Sequence, residues 1–299
     1  MAMIRHRLVA IRFGEMHVST IWDLRSSPML NKVPEVTLIF WTIKILSTTV
    51  GETGADYLAV HVGLGVKVTA ACMASLLMVA LMLQLRARRY VPWIYWLTVV
   101  LVSIVGTQIT DLLTDKLEIS LYVSTAVFAC ALAATFAIWY AVERTLSIRT
   151  IVTTRRELFY WAAILFTFAL GTAAGDLATE ALGLGFQLGV IVFGVLIAFI
   201  VVFYTLGVNP VLTFWLAYIL TRPLGASWGD YLSQPVANGG LGLGTVFTSM
   251  IFLSTIVALV IVLTVSRKDV LGQSSSGPGA LMEPAILSAD DDAHSAGRR

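Results

Sequence analysis

Long apolar runs alternate with short polar segments along almost the whole chain. Eight of these runs are about 20 residues long, the length that a helix needs to cross the hydrocarbon core of a bilayer. They cover residues 35–55, 64–85, 91–113, 119–141, 157–178, 185–206, 210–230 and 242–265. No segment alternates apolar and polar residues with the period of two that is typical of a membrane β-barrel. The pattern therefore predicts an all-α integral membrane protein with eight transmembrane helices.

One motif recurs in the first, third, fifth and seventh of these runs. It consists of a tryptophan, nine residues, a glycine, four residues and an aspartate. The four copies are Trp41–Gly51–Asp56, Trp96–Gly106–Asp111, Trp161–Gly171–Asp176 and Trp215–Gly225–Asp230. Each repeat contains two spans, and an even number of spans returns the chain to the side on which it started. The motif therefore predicts four parallel two-helix repeats, at about residues 32–87, 88–150, 151–206 and 207–267.

Basic residues are concentrated in alternate loops, which predicts the orientation of the chain. One set of loops holds Arg86, Arg88, Arg89, Arg144, Arg149, Arg155, Arg156, Arg267 and Lys268, whereas the opposite loops hold mainly acidic residues. Because basic loops stay in the cytoplasm, both termini are expected there. Residues 1–31 are then a basic cytoplasmic leader. Residues 268–299 are rich in small polar residues and are expected to be a disordered cytoplasmic tail.

The composition is that of a membrane protein without recognisable enzyme chemistry. Of the 299 residues, 58% are hydrophobic and only 13% are charged, and no soluble domain of this size has such a composition. The two cysteines, Cys72 and Cys130, lie inside apolar runs and form no metal-binding pattern. No motif for a nucleophile, a catalytic metal, a nucleotide phosphate or a nucleic acid is present. We therefore expect no enzyme activity, no cofactor and no nucleic-acid partner.

The repeat aspartates are the main candidates for ligand binding. All four are expected at one depth, towards the non-cytoplasmic side. The residue that follows each repeat glycine lies one helical turn before the aspartate and shares its face. These residues are Glu52, Thr107, Thr172 and Ala226, so three repeats add a second side-chain oxygen. Helix capping by the aspartates is the simpler alternative, although an acidic group near a helix C-terminus is electrostatically unfavourable.

The other repeat positions are expected to be mainly structural. The glycines Gly51, Gly106, Gly171 and Gly225 would allow close helix packing, or local helix breaks that free carbonyl groups to bind a metal. The tryptophans Trp41, Trp96, Trp161 and Trp215 would anchor or pack the helices. Two basic residues, Lys44 and Arg222, lie deeper in the spans than the aspartates. Because they are costly in lipid, they should face the bundle interior as counter-ions or as gating groups.

Two stretches carry a resemblance to a known family. The first runs from Lys32-Val33-Pro34-Glu35-Val36-Thr37 through Trp41, Lys44, Thr48-Thr49, Gly51-Glu52-Thr53 and Asp56-Tyr57. The second is Arg222-Pro223-Leu224-Gly225-Ala226-Ser227-Trp228-Gly229-Asp230-Tyr231. Together they resemble the bacterial multi-pass family built from a "repeat of unknown function", over about residues 32–267. The resemblance implies a protein of the bacterial inner membrane. Members are often labelled membrane-anchored proteins, with a suggested link to amylopullulanase regulation, and the family implies no settled substrate.

These observations favour a secondary transporter of a cation, such as the divalent metal Mn²⁺. Hard cations bind carboxylate, hydroxyl and carbonyl oxygens, which this chain offers without clusters of cysteine or histidine. Asp56, Asp111, Asp176 and Asp230 would bind the cation and exchange it for protons. A proton-coupled carrier of a small solute and a non-transporting scaffold or sensor remain alternatives. The expected partners are membrane lipid and an inorganic cation or proton, and a homo-oligomer stays open.

Overall fold

The computed structural model describes residues 31–60 and 66–275. Within these ranges every regular element is helical and none is a strand. The α-helices are α1 (Leu38–Val60), α2 (Val66–Arg86), α3 (Pro92–Asp111), α4 (Leu121–Glu143), α5 (Thr154–Asp176), α6 (Gly185–Thr205), α7 (Pro210–Ser233) and α8 (Thr245–Ser275). Each of these eight helices corresponds to one apolar run of the sequence. The prediction of an all-helical, eight-helix protein is therefore confirmed for the described part of the chain.

Six of the described helices, α2, α3, α4, α5, α6 and α8, are long and apolar enough to cross a membrane. The other two, α1 and α7, carry charged side chains along their length. Lys44, Glu52 and Asp56 lie on α1, and Arg222 and Asp230 lie on α7. Apolarity and length alone therefore identify all but the two helices that hold Lys44, Glu52 and Arg222.

Local sequence signals set several helix ends. Pro92 and Pro210 occupy first-turn positions, where a proline is tolerated because the N–H group there has no helical acceptor. The side chain of Asn209 accepts hydrogen bonds from two backbone N–H groups of α7, and Ser120 and Thr153 cap α4 and α5 in the same way. Helix α4 ends where Arg144 adopts a left-handed conformation.

The first helices of the four repeats form a closed ring. Helix α1 packs against α3, α3 against α5, α5 against α7, and α7 returns to α1. The second helices lie outside the ring, and each packs mainly on the first helix of the next repeat: α2 on α3, α4 on α5, α6 on α7 and α8 on α1. Most of α3 and α5 is buried, whereas the outer helices are largely exposed. The repeats therefore close about one axis, an arrangement that the sequence left undecided.

The repeat glycines stand where neighbouring ring helices cross. A Cβ atom placed on any of these glycines would overlap a side chain of the next ring helix. At Gly51 it would lie 1.8 Å from Oγ of Ser103, and at Gly106 it would lie 2.7 Å from Cβ of Phe168. At Gly171 it would lie 2.4 Å from Cγ of Arg222, and at Gly225 it would lie 1.9 Å from Oγ1 of Thr48. In every case the residue met lies three positions before the glycine of the next repeat. Close packing by small residues is a common basis of helix association in membranes. The four glycines therefore allow the ring to close with approximate fourfold symmetry.

Aromatic side chains fill one end of the ring. Trp96, Trp161 and Trp215 are buried and pack together with Tyr95 and Tyr160, whose hydroxyl groups are 2.6 Å apart. We call this the basic end, because the arginine-rich loops lie there, and we call the end that carries the repeat aspartates the acidic end. The tryptophans at these three positions pack in the interior rather than standing at a surface.

The residues just before α1 close the basic end further. Lys32 is buried, and its Nζ lies 2.7 Å from Oε2 of Glu157 on α5 and 3.0 Å from the carbonyl oxygen of Leu85 on α2. Gln84 donates a second hydrogen bond of 3.0 Å to Glu157. The start of the first repeat is therefore bound between the second helix of its own repeat and the first helix of the third repeat.

Two terminal predictions fall largely outside the described residues. The basic leader, residues 1–31, is described only at Asn31. Helix α8 continues to Ser275, past the start predicted for the tail at residue 268. The helical residues from 268 onwards include good helix formers such as Lys268 and Leu271, with no proline and only one glycine, Gly272. The rest of the tail lies outside the described residues.

Candidate functional site

Arg222 lies at the centre of the ring and connects all four ring helices. Its side chain is fully buried, and Nη1 donates a 3.0 Å hydrogen bond to the carbonyl oxygen of Thr48 on α1. Nη2 lies 2.8 Å from Oε2 of Glu52 and 2.7 Å from the hydroxyl of Thr172, and it also contacts the hydroxyl of Thr107. Glu52, Thr107 and Thr172 are the residues that follow the glycines of the first three repeats. The guanidinium group of Arg222, from the fourth repeat, therefore binds the side chain at this same motif position in each of the other three repeats.

The hydroxyl groups of Thr107 and Thr172 serve Arg222 in this conformation. Each also donates to a carbonyl oxygen of its own helix, at 3.2 Å to Ser103 and 3.1 Å to Phe168 respectively. Because each hydroxyl donates its proton to its own helix, the lone pairs on its oxygen are available to accept a hydrogen bond from the guanidinium of Arg222. The two threonines, expected to supply oxygens for a cargo ion, are thus engaged by an interior cation of the protein itself.

Lys44 is a second interior cation, and its surroundings differ from those of Arg222. Its side chain is fully buried, and Nζ lies 4.2 Å from the ring centroid of Phe168 and 4.3 Å from that of Tyr218. No described residue accepts a hydrogen bond from it. The guanidinium carbon of Arg222 lies 5.7 Å from the same Phe168 ring. Cation–π contacts offset about 2 kcal/mol of a desolvated charge, which is less than a buried ammonium costs.

The repeat aspartates gather beyond Arg222, at the acidic end. Asp230 is 8% exposed, and Asp56, Asp111 and Asp176 are half-buried. Asp176 interacts electrostatically with Asp111 and with Glu52, and Asp230 interacts with Asp56, Asp176 and Glu52. The carboxylates of all four repeats therefore share one region, with Glu52 as the link between them and Arg222.

Glu180 is an additional acidic residue that the motif did not reveal. It is exposed, and it interacts electrostatically with both Asp176 and Asp230. Its position four residues after Asp176 is the signal that could have identified it, because residues at this spacing share a helix face. The acidic group at this end therefore extends beyond the strict repeat.

The backbone changes its hydrogen-bonding pattern immediately after two of the aspartates. Helices α3 and α5 pass into π-helical turns at Leu112–Lys116 and Leu177–Ala181, directly after Asp111 and Asp176. The amide of Leu117 donates to Leu112, and that of Leu182 donates to Leu177, at 3.2 Å and 2.9 Å. Such turns are rare and frequently occur at functional sites. The second and third repeats thus share this feature, at equivalent positions.

The acidic end is not a preassembled metal centre. Within residues 31–60 and 66–275, no three histidine, cysteine, aspartate or glutamate side chains are grouped closely enough to hold a metal ion. The four aspartates proposed as metal ligands thus lie in one region without forming a complete coordination shell in this conformation.

The chain belongs to the family described as Repeat of Unknown Function (DUF347). Four copies of this repeat match residues 39–90, 94–145, 159–206 and 213–269, which together cover more than half of the chain. No curated protein and no solved structure matches it. The repeat boundaries agree with the four two-helix units that form the ring.

Proposed function

We propose that the protein is a secondary transporter whose cargo is a cation, received at the acidic end by the repeat aspartates and Glu52. One observation supports this most directly: Glu52 contacts Arg222 and also interacts electrostatically with Asp176 and Asp230. The Arg222–Glu52 ion pair inside the ring therefore interacts electrostatically with the carboxylates at the acidic end. A cation bound among those carboxylates would compete directly with Arg222 for Glu52.

Interior charges support transport over a purely structural role. Ionisable groups within a membrane bundle are costly and are typical of ion pathways and proton relays. Helix association needs only small residues and a few hydroxyl groups, which this ring has at its glycines and threonines. Lys44 has no such role, because no described residue accepts a hydrogen bond from it, so a transport role accounts for its presence.

The competition for Glu52 suggests how cargo binding and a conformational change are coupled. In the described conformation the guanidinium of Arg222 holds Glu52 and the two threonine hydroxyls. A cargo cation that draws Glu52 towards the aspartates would release Arg222 from these contacts. Without the Glu52 carboxylate beside it, the guanidinium would repel Lys44 more strongly, and this repulsion would favour a rearrangement of α7 against α1. Protons would take the place of the cargo on the carboxylates during the return step.

The first candidate for the cargo is a hard divalent cation such as Mn²⁺. Carboxylate and hydroxyl oxygens suit such ions, and the acidic end supplies these without nitrogen or sulfur ligands. Binding would need a small inward shift that completes the coordination shell. The π-helical turns after Asp111 and Asp176 are suitable places for this shift, because their hydrogen bonds differ from those of an ordinary helix.

The proposal includes a location and an orientation. The chain would span the bacterial inner membrane with both termini in the cytoplasm, so that the acidic end faces outwards. It would act as a transporter rather than an enzyme, without a cofactor and without binding nucleic acid. Its partners would be lipid, the inorganic cation and protons, in a single chain or a homo-oligomer.

Two alternatives predict different behaviour. A proton-coupled carrier of a small solute would use Arg222 to bind a substrate carboxylate, but Glu52 occupies that position in this conformation. A scaffold or sensor would use its polar interior only to hold the helices together. Uptake of a solute that uncouplers inhibit would favour the first alternative. Loss of the folded protein on charge substitution, without any transport phenotype, would favour the second.

Cellular metal content tests the proposal. In cells that express the full chain, Asp111→Asn and Asp176→Asn should abolish any difference in Mn²⁺ content from cells that lack it. Glu118→Gln is the matched control, because Glu118 is an exposed carboxylate near the acidic end and is not a repeat aspartate. Unchanged metal content in both aspartate variants, at normal protein level, would contradict the proposal. Across a panel of divalent ions, the response should also identify the preferred ion.

A further inference from the structure

A cavity opens sideways from the acidic end, beside Asp56. Its volume is about 710 Å³, which lies within the usual range for small-molecule sites. It is bounded by the end of α7, by the segment that follows it and by the first turns of α8. The lining includes the polar side chains of Asp56 and Ser233 and the apolar side chains of Leu243, Val246, Phe247 and Met250.

The inner wall of the cavity carries a carboxylate and a hydroxyl. Asp56 is the aspartate of the first repeat, and it interacts electrostatically with Asp230, which lies one turn before Ser233. Ser233 is only 5% exposed, and its hydroxyl makes no hydrogen bond to any residue that the structure describes. A buried hydroxyl without a partner costs free energy, which a ligand in the adjacent cavity would recover.

The outer wall is apolar, and the backbone beside it is firmly held. Leu243, Val246, Phe247 and Met250 provide aliphatic, aromatic and thioether surface. The segment after α7 folds back on the helix end: the amides of Leu241, Gly242 and Gly244 donate to the carbonyl groups of Tyr231, Gln234 and Ser233, at 2.7, 2.8 and 3.2 Å. The cavity therefore combines one negative group, one hydroxyl and an apolar wall of defined shape.

We propose that this cavity binds a small amphipathic amine. The protonated nitrogen would pair with Asp56, the hydroxyl of Ser233 would accept a hydrogen bond from it, and the apolar body would pack on Val246, Phe247 and Met250. This inference rests on the proposed function only in making such an amine a cargo, in addition to an inorganic cation. Binding at the cavity is a separate property and can be measured without transport.

The lining favours this class of ligand over two others. An inorganic divalent ion needs several oxygen ligands, and Asp56 is the only carboxylate among the lining residues that the structure describes. A lipid acyl chain would fill the apolar side, but it carries no positive charge for the carboxylate of Asp56 and no donor for the hydroxyl of Ser233. An alkylammonium group with a hydrophobic body satisfies both walls at once.

Calorimetric titration of the purified full chain in detergent tests this assignment, with 4-phenylbutylamine as the probe. Its neutral isostere, 4-phenylbutanol, has the same apolar body and lacks the charge. We expect the amine to bind, and the alcohol to bind at least about tenfold more weakly, because it cannot pair with Asp56. Equal binding of amine and alcohol would show a purely apolar, lipid-like site and would overturn the assignment.

Variants locate the binding site. Asp56→Asn should weaken amine binding about tenfold or more, and Ser233→Ala by a smaller factor. Val246→Trp should abolish binding by filling the cavity while both polar groups are retained. Val246 is exposed, so the protein should still fold. Glu118→Gln is the control and should bind the amine as the unaltered chain does. Full amine affinity in both Asp56→Asn and Val246→Trp would also overturn the assignment.

Amine binding at the cavity and metal transport can be tested separately. Amine binding that needs Asp56, in a protein whose expression leaves cellular Mn²⁺ unchanged, would support the cavity and contradict metal transport. A metal response that Asp111→Asn abolishes, together with no amine binding, would do the reverse.

Discussion

The two ends of the ring use the same four helices for opposite purposes. At the basic end, the tryptophans and tyrosines of successive repeats interlock and exclude water, and Lys32 there has Glu157 as a close partner. At the acidic end, the same four helices carry the repeat aspartates, which interact with one another. Arg222 and Lys44 lie between these two regions. Under the proposed function, the basic end is a packed closure and the acidic end is where the cargo enters.

The two interior cations sharpen this comparison, because among the residues that the structure describes only Arg222 has a carboxylate partner. Arg222 has four contacts on three other ring helices, whereas Lys44 faces two aromatic rings. Removing the charge of Arg222 should therefore lower stability, whereas removing the charge of Lys44 should leave stability nearly unchanged or raise it.

The largest effect is expected for Arg222→Met. The substitution leaves the Glu52 carboxylate buried without its partner, which typically costs about 3–5 kcal/mol. Thermal unfolding of the purified protein in detergent should show the loss. The double variant Glu52→Gln/Arg222→Met should regain most of it, because no unpaired charge remains. If the double variant were as unstable as the single one, packing rather than the ion pair would explain the effect.

An intermediate effect is expected at the glycines of the ring. Gly171→Ala places a methyl group 2.4 Å from Cγ of Arg222, and such overpacking typically costs about 1–3 kcal/mol. Gly194→Ala on the outer helix α6 is the matched control, since no described atom lies within 4 Å of its added methyl group. The control should be neutral or slightly stabilising, because alanine is the better helix former. Equal stability of the two variants in the same unfolding measurement would argue against the closely packed ring.

The smallest effect on stability is expected for Lys44→Met. Methionine keeps a similar length and apolar stem but removes a buried charge that has no carboxylate partner, so stability should stay within about 1 kcal/mol or rise. The metal response of cells should nevertheless be lost if Lys44 takes part in the transport cycle. A variant that unfolds like Arg222→Met would show that Lys44 has a stabilising partner in the membrane. One that transports normally would limit Lys44 to a structural role.

Sequence patterns predicted much of the site but not its pairing. The Trp–Gly–Asp spacing placed the aspartates at one depth, and the one-turn spacing placed Glu52, Thr107 and Thr172 in a layer beneath them. That Arg222 occupies this layer depends on where α7 stands relative to three helices from other repeats. Pairing across 50 to 170 residues of sequence leaves no local pattern that could be read in advance.

The sequence by itself determined the helices and their repetition, because apolar length and the period of a motif are local properties of the chain. It also limited the candidate chemistry to oxygen ligands and two interior cations. Only the tertiary structure decided that four helices close into a ring, that Arg222 pairs with Glu52, and that a cavity opens beside Asp56. These features depend on close contacts between distant segments, where the absence of a side chain at each repeat glycine lets the helices meet.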